Sequence, residues 1–258
     1  MSASLNDSHN VTTLKLIGNP ILTNITRRKL LSASLSASAG ALLLPHIASA
    51  KTKQENLLYN GGLLTGLSKP LPYKSIPGFL SAEQLTPHHD AHYGGALRGY
   101  LAAEATLQSS IHDGTSLNAD AYGALQRARV NKADSVLLHE LYFDGMTTTP
   151  HSPTAEITAA IKKRFGSMDK WMADFQACAK SSSGWATLAY HQLNGKLFNI
   201  PSDKHATGIL WMASPLIIID VYEHAYYTDY KNNKTQYIEK YMHHIDWEII
   251  NRRFKTTG

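Results

Sequence analysis

Cysteine is nearly absent: Cys178 is the one thiol in 258 residues. An intrachain disulfide is therefore excluded, and so is a metal site built on several thiolates. Cys178 itself reads as a small buried hydrophobe. Charge is sparse too, at 17% of residues against 43% hydrophobic, the balance of a globular chain and not a disordered one. The formal net charge is +5. Four basic residues (Lys15, Arg27, Arg28, Lys29) and one acid, Asp7, fall in the first fifty, which leaves 21 basic against 19 acidic residues in the remainder. With so small an excess, and no basic stripe interleaved with aromatics, nucleic acid is not an expected partner. The apolar run over residues 30–44 is too short and too rich in Ser and Ala for a stable transmembrane helix, so no stable membrane anchor is expected. No internal repeat is found.

What that run does fit is an address. Residues 26–50, TRRKLLSASLSASAGALLLPHIASA, place the pair Arg27-Arg28 before a moderately apolar stretch and then offer small residues, Ala48 and Ala50, for cleavage. This is the pattern of a secretory signal, and the paired arginines point to the twin-arginine export machinery. The mature chain is expected to begin near Lys51 and to work in the periplasm or otherwise outside the cytoplasm.

The mature part divides by composition. Residues 51–80 are turn-rich, with Pro70, Pro72 and Pro77, and read as an extended N-terminal arm. SAEQL supplies a capping box, Ser81 with Gln84, for a long helix to about residue 109, and a second helix covers 119–143. These make an α-hairpin domain over 81–150. The C-terminal domain, 151–258, opens with helices from Thr154 and over 167–179. A hairpin of strands 185–191 and 196–201 follows, then a third strand at 215–220 and a helical tail over 235–253. The expected class is α+β: a helical hairpin, then helices with a three-stranded antiparallel sheet.

Chemistry is concentrated in histidine. There are thirteen, eleven of them beyond residue 50. His88 lies in TPHHDAHY on the first long helix and His139 in SVLLHELYF on the second. DVYEHAYYTDY sets Asp220 and His224 just past the apolar strand end LIII. A carboxylate at a buried strand end is costly unless paired. Three imidazoles and one carboxylate without thiolate suit iron, manganese or zinc. Periodicity alone does not assemble these four.

DVYEHAYY, followed by YIEKYMHHIDWEIINRRF, resembles the C-terminal signature D-x-W-E-H-A-Y-Y of the iron/manganese superoxide dismutases. SAEQLTPHHDAH, NKADSVLLHELYF and RFGSMDKWMADFQACAKSSSGWATL resemble, in order, that family's first-helix, second-helix and pre-sheet segments. The resemblance implies dismutation of superoxide to oxygen and hydrogen peroxide. It makes His88, His139, Asp220 and His224 ligands to one iron or manganese ion per subunit, with iron slightly favoured. It implies a homodimer, or two such dimers paired into a tetramer. Glu223 would reach a ligand histidine of the other subunit, and His92 and Tyr227 would meet across the interface near the substrate funnel. Tyr142, Phe143, Trp185 and Tyr222 match an aromatic shell. Three departures stand out. Ala96 occupies the place of the usual gate tyrosine, for which Tyr93 or Tyr100 is a possible substitute. Ser135 and His205 stand where many members put the glutamine that faces the ion's solvent ligand. Tyr222 replaces the motif's tryptophan. The alternative reading is a dismutase-fold metal-binding protein with reduced or peroxide-directed activity.

Overall fold

The computed structural model describes residues 60–114, 117–208 and 210–257. Arg27, Arg28, Ala48 and Ala50 lie outside the described residues. The arm is not wholly extended: it contains one helical turn, α1 (Gly62–Thr65), closed by Gly66 at φ 71°. Helix α2 (Ala82–Pro87) begins where Ser81 Oγ accepts the amide of Gln84 at 3.1 Å. The second half of the expected capping box is not made. Gln84 is buried, and its side chain is spent on a distant turn described below. Asp229 accepts from the Ser81 amide and hydroxyl instead, at 2.8 and 2.7 Å.

From α2 the chain passes through a π-turn, His88–Tyr93, into α3 (Gly94–His112), with helical dihedrals at both junctions. The π-turn starts immediately after Pro87, which has no N–H to place in the α-helical ladder. Helix α4 (Ala119–Asp144) is capped by Asn118, which accepts the Ala121 amide at 2.8 Å, and packs along α3 as the hairpin partner. Helices α5 (Ala155–Phe165) and α6 (Met168–Ser181) follow, separated by Gly166 at φ 92°. The sheet has strands β1 (Trp185–His191), β2 (Lys196–Ser202) and β3 (Ala213–Asp220) in the order β2-β1-β3, both pairings antiparallel. Its central strand starts with Trp185 opposite both Ser202 and Asp220. Gly184 is required just before it, since a Cβ there would lie 2.6 Å from the Ser202 carbonyl oxygen.

The tail differs from the single helix read over 235–253. After the 3₁₀ turn Glu223–Ala225 and the short α7 (Tyr227–Tyr230) come two helices, α8 (Lys234–His243) and α9 (Trp247–Lys255). Between them Ile245 bridges to Met146, and Gly145 O accepts the Asp246 amide at 2.9 Å. Asp246 then caps α9 through the amides of Glu248 and Ile249. The tertiary bridge and the cap outweigh helical periodicity.

Strand β3 is the centre of the core. Leu216, Ile217, Ile218 and Ile219 are fully buried, with α4 packed against the strand. Helix α8 grips the strand end with two hydroxyls four residues apart. Tyr241 donates to Ile218 O at 2.7 Å and Tyr237 to Asp220 O at 2.8 Å. Cys178 is half-buried on α6, and burial pushes its thiol up to about 12.

A second clamp holds the arm. The buried Glu140 Oε1 accepts from the Gly62 amide and from Tyr93 Oη, each at 2.7 Å, and Tyr93 Oη accepts from the Lys69 amide at 2.7 Å. Replacing Tyr93 by Phe strands the Lys69 amide and removes one donor from a buried carboxylate. The expected loss is about 1–3 kcal/mol of unfolding free energy. It is measured by urea denaturation at fixed metal content, and an unchanged midpoint would show that the hydroxyl holds nothing.

Candidate metal centre

Four side chains from four elements of the fold converge at the end of β3. His88 comes from the π-turn, His139 from near the C-terminal end of α4, Asp220 from the last position of β3 and His224 from the 3₁₀ turn. Their nearest donor atoms all lie within 4.8 Å of one another. Three imidazole Nε2 atoms face one carboxylate oxygen. Asp220 Oδ2 is 3.1 Å from His88, 3.3 Å from His224 and 3.7 Å from His139.

Local hydrogen bonds aim these atoms. His139 Nδ1 donates to the Ser135 carbonyl at 2.7 Å, one turn back on the same helix, which leaves Nε2 as the ring's lone pair. That Nε2 is buried and has no protein partner, the state of an unused ligand atom. His88 Nδ1 is likewise buried without a partner, and nothing in the structure accounts for it. Asp220 Oδ1 accepts the Tyr222 amide at 2.9 Å, which orients the carboxylate. Gln84 Nε2 donates to His224 O at 2.6 Å and Gln84 Oε1 accepts from Thr228 N at 2.9 Å, fastening the motif's turn to α2.

The protonation states suit a cation. Burial holds the imidazoles of His88 and His139 below the usual histidine range, so both are neutral. Burial alone would raise the Asp220 carboxyl. Hydrogen bonds from His224 and His88 outweigh it and keep the group below the usual carboxylate range, hence ionised. Three imidazoles and one carboxylate, all with oxygen or nitrogen donors, form a set that iron, manganese or zinc accepts.

An aromatic wall encloses the set. Phe143 and Tyr142 stand 5.0 and 5.5 Å from the His88 ring, and Trp185 meets His139 edge-on at 5.0 Å. Tyr222 stacks on His224 at 5.2 Å. Trp185 Nε1 donates to His205 Nδ1 at 3.0 Å, so His205 carries its own proton on Nε2. His205 lies 6.1 Å from the His139 ring, at the rim. His92 stacks on His224 at 3.8 Å and is exposed, as are Glu223 and Tyr227. The side chain of His224 is 22% exposed while His88 and Asp220 show none, so solvent approaches from the His224 side.

Neither tyrosine offered as a substitute gate has its hydroxyl on the cluster in any described hydrogen bond. Tyr93 is fully buried and spends its hydroxyl on Glu140 and Lys69, and Tyr100 packs on the core. Ala96 is buried and brings no polar atom. Ser135 does serve the site, but through its main-chain carbonyl; its hydroxyl is 3.4 Å from His139 Nδ1. Sequence reasoning missed Gln84, Tyr237 and Glu140. Tyr237 and Tyr241, four apart on an amphipathic helix, were the available signal for the strand clamp.

Residues 153–253 match the family model for the C-terminal domain of iron/manganese superoxide dismutases. The chain is 33% identical over 189 residues to superoxide dismutase [Mn] 1 of Halobacterium salinarum, covering 72% of this chain and 93% of that protein. It is 34% identical over 185 residues to superoxide dismutase [Fe] of Aquifex pyrophilus, covering 68% and 84%. A third relative, superoxide dismutase [Fe] of Methanothermobacter thermautotrophicus, is 30% identical over 191 residues, covering 72% and 92%. On this ground the chain belongs to the iron/manganese superoxide dismutase family.

Two substitutions separate the parts of the cluster. Asp220→Ala is expected to abolish retention of iron or manganese after gel filtration, measured as metal per chain. Ser135→Ala is expected to leave it within about twofold, because the bond to His139 comes from the backbone. Loss of metal in Ser135→Ala would refute that assignment.

Proposed function

We propose that the chain is an exported superoxide dismutase that converts two superoxide ions and two protons to oxygen and hydrogen peroxide. Its ligands are His88, His139, Asp220 and His224, which hold one iron or manganese ion per subunit. The observation that carries this reading is the convergence of three Nε2 atoms on Asp220 Oδ2, one of those nitrogens buried without any other partner. When bound, an iron or manganese ion supplies a one-electron couple that one superoxide reduces and the next reoxidises.

The remaining work falls to the chain. Asp220 offsets cationic charge at a site that Trp185, Tyr142 and Phe143 keep dry. Trp185 fixes the His205 ring so that its Nε2–H can donate to oxygen at the site and bias the potential. With Ala96 in place of a gate hydroxyl, proton supply rests on His205 and on solvent entering past His224. His205 in place of an amide leans the metal preference toward iron. The relatives are named for either metal at similar identity, so no preference comes from them.

Glu223, His92 and Tyr227 are exposed beside His224, which supports a homodimer joined at this edge, with each Glu223 reaching the other subunit's site. Arg27-Arg28, the apolar run and Ala48-Ser49-Ala50 support twin-arginine export to the periplasm or cell surface. The alternative, a metal-binding protein with weak or peroxide-directed turnover, rests on the departures at Ala96, Ser135 and Tyr222.

The test is dismutation per bound ion for the chain from Lys51, loaded separately with iron and manganese. Metal-dependent turnover in at least one form, absent in Asp220→Ala, is expected. Full occupancy with no turnover in either form selects the alternative. For export, lysines in place of Arg27 and Arg28 are expected to retain the protein in the cytoplasm; unchanged export would exclude the twin-arginine route.

A further inference from the structure

The end of the sheet farthest from the candidate ligands carries two short turns side by side. Strand β1 runs from Trp185, opposite Asp220, to His191, opposite both Lys196 and Ala213. There the chain turns through residues 192–195 into β2, with the Gly195 amide donating to His191 O at 2.9 Å and Gly195 at φ 64°. A second turn, residues 210–213, leads into β3 and is closed by the Ala213 amide on Leu210 O at 3.1 Å. Gln192 joins the two turns. Its amide donates to Met212 O at 2.9 Å and its side-chain Nε2 to Ser214 Oγ at 3.0 Å.

Both tips are apolar. Leu193 is 75% exposed, Trp211 84% and Met212 53%. Met212 also stands at φ 64° in the third place of its turn, a left-handed position that glycine or asparagine ordinarily fills. The bond from Gln192 holds a long apolar side chain on that strained backbone. A single exposed apolar residue is ordinary. Three on adjoining turns, one of them on strained backbone, make a patch of the kind that marks a contact surface.

The charges around the patch identify what it fits. Lys196, exposed, follows the first turn directly. Arg164, at the end of α5, donates to Leu197 O at 2.9 Å, and its guanidinium lies over Phe198. Lys162 and Lys163 are exposed on the same last turn of α5. Acids are few here. Glu156 is paired with Lys255 at 3.2 Å, and Asp203, the one acid between residues 175 and 219, is bonded to Ser183 at the opposite end of the sheet. A second copy meeting this end tip to tip would set cations against cations. A projecting apolar tip flanked by cations instead suits a surface that is apolar within and anionic outside. We infer that these two turns dock the protein reversibly on an anionic phospholipid bilayer, with Leu193, Trp211 and Met212 among the headgroups and Lys196 and Arg164 against the phosphates. An indole, apolar with one polar N–H, suits that boundary. No described helix is long and apolar enough to cross a membrane, so the attachment is peripheral. Six residue steps of β1, about 20 Å, separate the turns from Asp220, which keeps the metal centre clear of the lipid.

Tryptophan emission reads this docking directly, because Trp171, Trp185 and Trp247 are buried and Trp211 is the one exposed indole of four. The full, metal-loaded chain is titrated with vesicles of phosphatidylglycerol and phosphatidylcholine whose acyl chains are brominated. Emission is expected to shift to the blue and to be quenched, and Trp211→Ala to lose the quenched component. Lys196→Glu, which reverses one charge beside the headgroups, is expected to raise the lipid concentration for half quenching about tenfold. Leu193→Asp is expected to raise it at least as much. Circular dichroism checks that the variants are folded. Absence of quenching overturns the proposal and leaves the patch to a protein partner. Quenching that persists in folded Trp211→Ala, or that is unchanged in both Lys196→Glu and Leu193→Asp, overturns it too, since the contact would then lie elsewhere, the apolar run over residues 30–44 included. Equal quenching by pure phosphatidylcholine overturns it as well, because headgroup charge would count for nothing. None of these readouts depends on dismutation, so failure here and failure of the proposed activity are separable.

Discussion

The structure is organised around one electrostatic constraint: an ionised carboxylate sealed at the end of the most buried strand. Asp220 has no solvent contact, and an isolated carboxylate there would cost far more than a small domain's margin of stability. Three imidazoles aimed at one of its oxygens resolve this only in part, because burial keeps two of them, His88 and His139, neutral. The proposed iron or manganese ion would complete the balance. Much of the neighbouring architecture follows. The strand must be held in register, so α8 fixes its end by two tyrosine hydroxyls, and the turn beyond it must be pinned, so Gln84 reaches across from α2.

A further constraint comes from helix geometry. The turn that carries His88 is a π-turn, and the wider turn places His88 toward the cluster and His92 toward the exposed stack on His224. One local irregularity thus serves both the interior of the site and its outer edge. Irregularities of this type recur at functional positions because they re-aim side chains without breaking the helix.

The legibility of the sequence was uneven for physical reasons. Helices and strands appeared where polarity alternates with the element's own period, and LIII announced a buried strand. Single histidines announced nothing, since an imidazole looks alike in a core, at a surface or on a metal. Only the ordered motifs around His88, His139, Asp220 and His224 brought them together. The π-turn had a local trace in Pro87, directly before it, whereas the break at His244–Asp246 had none, because it follows from a bridge to Met146. Gln84 looked like half of a capping box; its true partners are more than a hundred residues away.

The contact between His88 and Asp220 spans 132 residues of chain. Closing so large a loop is entropically slow, and little local structure rewards it beforehand. The hairpin that presents His88 and His139 can form early from near neighbours, while the carboxylate arrives only when the sheet has assembled. A chain that folds in that order would meet metal first as a hairpin with two nitrogens and weak selectivity, and would offer all four proposed ligands only after the core has closed around them.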